Sequence, residues 1–116
     1  MFGSVSKAVS IDELFDDIDV WGAGFVATVG DDERVRFVAL RPTVVTRAHG
    51  RVLRFERAGR STVNNAGTRD QVAIAFPPHA GSAGFSLIVD GIADVDAEAG
   101  VLNVRPTSAV LHRPAP

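Results

Sequence analysis

A glycine- or proline-bearing break falls about every ten residues along this chain, and the segments between breaks are short, apolar and often alternating. The breaks are Trp21-Gly22-Ala23-Gly24, Gly30-Asp31-Asp32-Glu33, Arg41-Pro42, Ala48-His49-Gly50, Ala58-Gly59-Arg60-Ser61, Pro77-Pro78 and Glu98-Ala99-Gly100. Parallel strands need crossovers of a dozen or more residues, usually helical. Most gaps here are too short for that, so antiparallel meanders and a small barrel or sandwich are expected. Strands are predicted over Phe25–Val29, Arg34–Leu40, Thr43–Arg47 and a segment marked by Val52, Leu53 and Phe55, then over Gln71–Phe76, Phe85–Val95 and Val101–Arg105. Arg41-Pro42 interrupts the second and third, because proline cannot donate to a ladder. A bend is expected at Gly91.

Helical signals are few. Ser10-Ile11-Asp12-Glu13 is a capping box: the serine hydroxyl takes the Glu13 amide proton while the Glu13 carboxylate reaches back. Ile11, Leu14, Phe15 and Ile18 follow at helical spacing, which predicts a helix over Ile11–Ile18. Thr62–Ala66 is expected to make one or two turns ended by Gly67. Pro106 is expected to open a third helical stretch, Thr107–Leu111, ahead of an extended tail.

The 116 residues fit one domain, 1–116, with a core over about 10–112. There is no cysteine, which excludes disulfides, thiolate metal sites and cysteine nucleophiles. Without a basic n-region followed by an apolar core at Met1–Lys7, and without an apolar run near the roughly 18 residues of a span, a cytoplasmic protein with no membrane partner is expected. The formal net charge of −2 argues against a basic nucleic-acid binder. That near-neutral total hides a segregation. The first 33 residues carry eight acids and one base, whereas Arg34–Arg60 carries eight arginines and one acid. These arginines are either solvated and paired with the acidic segments, or they build an anion site. His49, His79 and His112 lie far apart, so no metal site is expected. No residue is singled out as catalytic.

Gly59-Arg60-Ser61-Thr62 is the informative piece, lying between an apolar strand and a short helix. Free amides at a helix start, two hydroxyls and a guanidinium are the groups that bind phosphate. The same residues also read as a plain helix cap, with Ser61 at the N-cap and Arg60 on the surface.

The run Gly59-Arg60-Ser61-Thr62-Val63-Asn64-Asn65-Ala66-Gly67-Thr68-Arg69-Asp70-Gln71-Val72-Ala73-Ile74 resembles a pattern of the pyridoxamine 5′-phosphate oxidase-like split-barrel family, which includes deazaflavin-binding members. Thr28-Val29-Gly30-Asp31-Asp32 with Arg34–Leu40 is similar to that family's opening hairpin. Phe85-Ser86-Leu87-Ile88-Val89-Asp90-Gly91-Ile92-Ala93 is similar to its long strand with a central glycine. The resemblance implies a mainly β fold, a six-stranded antiparallel split β-barrel with two or three short helices, and a homodimer holding FMN or F420 in a groove between subunits. It implies that Arg60, Ser61 and Thr62 form the phosphate turn, and that Leu40, Arg41, Pro42 and Thr43 lie along the flavin ring. Arg69 matches a second basic position that is structural in some members. Thr62 stands where many members have lysine. The family's C-terminal pyridoxal-binding extension has no counterpart here, so oxidation of pyridoxamine phosphate is not expected. The implied function is hydride transfer to or from a small-molecule substrate. The alternative is a non-enzymatic split-barrel dimer that binds or stores a ligand, or that has lost its cofactor.

Overall fold

The structure, a computed structural model, describes residues 4–115; the expected domain limits 1 and 116 lie outside them. In chain order the elements are β1 (Ser4–Val9), α1 (Ile11–Asp17), a 3₁₀ turn (Ile18–Trp21), β2 (Gly24–Val29), β3 (Val35–Leu40), β4 (Thr43–Arg47), β5 (Gly50–Phe55), α2 (Arg60–Thr68), β6 (Gln71–Phe76), β7 (Ser86–Asp96) and β8 (Val101–Pro114). No described helix is long and apolar enough to cross a membrane.

All strand pairings are antiparallel, and the order is β3-β2-β6-β7-β8-β5-β4, with β1 also on β8. The sheet is not closed by hydrogen bonds: β3 and β4 are its two ends. Yet they are consecutive in the chain and joined only by Arg41-Pro42. Three peptide steps span at most about 11 Å, so Leu40 at the end of β3 and Thr43 at the start of β4 lie close together. Proline at the joint keeps them from merging into one ladder. The sheet is thus antiparallel and open, with one seam at that joint.

Among the described residues the count is eight strands rather than six. β1 was not anticipated, and the helix expected over Thr107–Leu111 is instead the second half of β8. The signal that misled is Pro106. It stands opposite Gly91 at a shift of register between Asp90 and Gly91, in the irregularity where a strand tolerates proline. Thr107 is the extra residue, and its hydroxyl donates to the Asp90 carbonyl at 3.2 Å. Gly91 is required by close approach: a Cβ there would sit 2.5 Å from Val104 Cγ1 and 2.8 Å from the Arg105 carbonyl oxygen. The bend expected at Gly91 is this irregularity. β8 then runs on to pair with β1, from Val9↔Ala109 to Ser4↔Pro114. His112 therefore lies in a strand, not a tail, and its Nδ1 is 3.1 Å from Ser6 Oγ.

The inward faces supply the core. Val26, Leu53, Phe55, Ile74, Phe76, Val89, Leu102 and Val104 are fully buried, and Leu14, Phe15 and Ile18 of the N-terminal helical segment pack on them. Period-2 alternation makes this possible, because every second side chain of each strand points inward. The capping box forms as expected on its serine side, with the Glu13 amide donating to Ser10 Oγ at 3.1 Å. The segregated charges partly find each other across the fold. Arg51 of β5 reaches Asp16 at 3.0 Å and Asp12 at 3.2 Å, and its guanidinium lies 4.8 Å from the Phe15 ring centroid. Asp16 first, then Asp12, raise the pKa of Arg51 above its ordinary value.

Candidate functional site

β5 ends at Phe55, and the chain turns through Arg57 (φ 54°) and Gly59 (φ 88°) before α2 begins. Ala58 is buried in this turn, and its amide donates to the Gly100 carbonyl at 3.0 Å, tying the turn to the β7–β8 connection. The N-cap is Gly59, not Ser61, and α2 runs Arg60–Thr68, longer at both ends than expected. Glycine has no side chain to cap with, and no side-chain cap is present. The first amides of an α-helix have no partner within the helix; here the first intrahelical bond runs from the Val63 amide to the Gly59 carbonyl, 3.1 Å. The amides of Arg60, Ser61 and Thr62 therefore stand ahead of the helical ladder. Arg60 and Ser61 are exposed, whereas Thr62 is buried with Val63 and Ala66 against the sheet. That buried row fixes the helix and leaves Arg60 and Ser61 on its open side.

The far end of α2 is pinned as well. Asn65 donates to Thr28 Oγ1 at 3.3 Å, and Arg69, the C-cap, pairs with Asp31 at 3.0 Å. Arg69 lies nine residues beyond Arg60, about 13 Å along the helix axis, with its guanidinium committed to the β2–β3 turn. The two arginines do not converge on one group, and Arg69 acts as a tie between α2 and that turn.

The other predicted residues sit at the seam. Leu40 is half-buried against the core, Arg41 is exposed, Pro42 is buried and Thr43 is exposed. Thr43 is in register with Arg54, one residue before β5 ends and the turn to α2 begins. β5 is thus what connects the seam to the α2 start. Among the described residues, no ion pair engages Arg41 or Arg60.

Two features were not anticipated. The outer face of β2 and β3 is apolar: Phe25 is 45% exposed, Val35 53% and Phe37 67%. Their register places Phe25 opposite Ala39, Ala27 opposite Phe37 and Val29 opposite Val35, with Ala75 and Ala73 of β6 continuing the same face. The alternation of Val35, Phe37 and Ala39 carried the signal, although it points outward rather than into the core. The second feature is a groove over the outer face of β4, β5, β7 and β8, with Asn103 at its floor.

Neither a protein-family model nor a characterised protein matches the chain by sequence. Solved structures do match. An FAD-binding protein from Mycobacterium smegmatis superposes with a TM-score of 0.64 at 21% identity, over 97% of this chain and 100% of that one. The likeness is one of fold. HutZ, a haem-storage protein from Vibrio cholerae, gives 0.56 at 14% identity, over 86% of this chain and 92% of its own. An F420 reductase gives 0.55 at 17% identity, over 85% of this chain and 90% of its own.

Proposed function

We propose that this chain binds a flavin-type nucleotide, FMN or the deazaflavin F420, and serves as an oxidoreductase for a small molecule. The observation that carries the reading is the start of α2 without a side-chain cap, where amides ahead of the helical ladder stand beside exposed Ser61 and an Arg60 that makes no ion pair among the described residues. The residues fit a phosphate: amide and hydroxyl groups that can donate, a helix dipole of the right sign and a guanidinium able to bind in a fork. The likeness in fold to an FAD-binding protein and an F420 reductase supports the choice of nucleotide. When bound, such a cofactor supplies the hydride chemistry. The chain's part is to hold the phosphate through Arg60, Ser61 and the α2 amides, to seat the ring along Leu40–Thr43, and to place Arg41 where it opposes negative charge on that ring. Thr62, being buried, contributes its amide and the packing of the helix rather than an open hydroxyl.

The functional unit in this reading is a homodimer. The apolar outer face of β2, β3 and β6 supports it, since large exposed apolar patches mark interaction surfaces. A second reading, a non-enzymatic dimer that stores its ligand, draws on the likeness to HutZ. The absorbance spectrum of the purified protein and its response to added FMN, F420 and haem distinguish the two.

The decisive experiment is calorimetric titration of Arg60→Ala. A charged hydrogen bond contributes on the order of 1.5–3 kcal/mol, so nucleotide binding should weaken roughly ten- to a hundredfold with the fold intact. Arg57→Ala, in the turn before α2, should change little. Equal affinities for wild type and Arg60→Ala would leave the α2 start as a plain helix terminus.

A further inference from the structure

The groove over the outer face of β4, β5, β7 and β8 shares no residue with the proposed nucleotide site. Its two lobes, of about 280 and 300 Å³, meet at Arg47, Asp94 and Asn103. Asn103 is only 5% exposed, and its buried Oδ1 accepts no hydrogen bond among the described residues. Buried polar atoms nearly always have a partner, and an unmatched one costs free energy. The register explains its position: Asn103 lies opposite Asp94 on one side and Arg54 on the other, on the outward face between the buried Leu102 and Val104. It therefore forms the floor of the groove rather than part of the core.

The walls define what would complete it. Half-buried Val52 and Ile92 line one lobe. Three arginines, Arg47, Arg54 and Arg105, face two carboxylates, Asp94 and Asp96. Arg47 is held near Asp94 at 3.8 Å, and Arg54 near Glu56 at 3.4 Å. Arg105 is exposed and in no ion pair among those described. With Glu56 counted, the three guanidiniums are balanced by three carboxylates, and Arg105 is the arginine of this groove left without an ion pair among the described residues, its fork matching the planar, two-oxygen geometry of a carboxylate.

We propose that this groove is a binding site for a small carboxylate with an apolar body and a hydrogen-bond donor, the carboxylate on Arg105, the body against Val52 and Ile92, and the donor on Asn103 Oδ1. The volume is close to the roughly 300 Å³ lower end of small-molecule pockets, so the ligand is of substrate or effector size.

The test is an amide-resolved NMR titration of the full chain with 4-aminobenzoate, which has both groups, and with benzoate, which lacks the donor. Expected are saturable shifts at Val52, Ile92 and Asn103, with 4-aminobenzoate bound roughly tenfold more tightly than benzoate. Asn103→Leu should abolish that preference. Arg105→Ala, an exposed change that leaves the floor intact, should weaken both ligands alike and keeps the test open if Asn103→Leu fails to fold. The proposal is overturned by the absence of shifts at these residues, by a preference that survives Asn103→Leu, or by the same shifts arising from protein concentration alone, which would mean that a second copy covers the groove. FMN and F420 affinity, read in parallel, should be unchanged in both variants.

Discussion

The two halves of the sheet are alike inside and different outside. In β2, β3 and β6 the outward positions include Phe25, Phe37, Val35 and alanines; in β5, β7 and β8 they mix Arg54, Asp94, Asp96, Asn103 and Arg105 with Val52, Ile92 and Val101. The inward positions of both halves form one continuous apolar cluster. The inner face determines the fold, and each outer face is free to differ: one is apolar, the other carries most of the charged groups. Specialisation by half also keeps charges away from the apolar face, where they would oppose burial.

The largest expected effect tests the shared interior. Phe76 is fully buried on β6, and Phe76→Ala should cost about 3–5 kcal/mol, measured by denaturant unfolding. It should destabilise both halves in one transition; separate transitions would show that the halves are independent. Next comes the β7–β8 junction at Gly91. Gly91→Ala forces a Cβ onto Val104 and the Arg105 backbone, and a loss of about 1–3 kcal/mol is expected from overpacking. A neutral result would mean that β7 and β8 can separate there. Phe37→Ser tests the apolar half alone. As a surface change it should alter protomer stability by about 0.5 kcal/mol or less, while shifting the mass found by light scattering from dimer to monomer. No shift in mass would place any dimer contact elsewhere.

The smallest effect concerns the β2–β3 turn. The Arg34 amide donates to Asp32 at 3.1 Å and, with the Arg36 guanidinium at 2.7 Å, holds the Asp32 carboxyl below its ordinary value of 3.8. A depressed carboxyl pKa stabilises the fold above the unfolded value and stops doing so as pH falls through the folded one. The stability difference between wild type and Asp32→Asn should therefore be constant near neutrality and shrink below about pH 4. A difference that grows in acid would contradict this sign.

How much was legible in the sequence follows from how local each signal is. β6 was read with its observed limits, because Val72, Ile74 and Phe76 alternate with alanine between clear stops. The α1 cap was equally local. β1 has mostly exposed side chains and is a strand because β8 extends far enough to pair with it. Pro106 was misread for the same reason: its meaning depends on Gly91, fifteen positions earlier and directly opposite. At the candidate site, Arg60 and Ser61 were visible as residues at a helix start, whereas the cap at Gly59 required its backbone angle. Asn103 carried no local warning. One polar residue among Val101, Leu102 and Val104 becomes a groove floor only once β5 and β7 flank it.

The β1–β8 ladder has a mechanical consequence. Ser4 is registered with Pro114, so these two positions lie side by side at the same end of an antiparallel pair. A load pulling them apart acts along the interstrand hydrogen bonds, which run perpendicular to the strands, and meets them one at a time. The pair would peel open like a zipper, from Ser4–Pro114 towards Val9–Ala109, at low force. The β7–β8 ladder behind it would bear no load until that seam had parted.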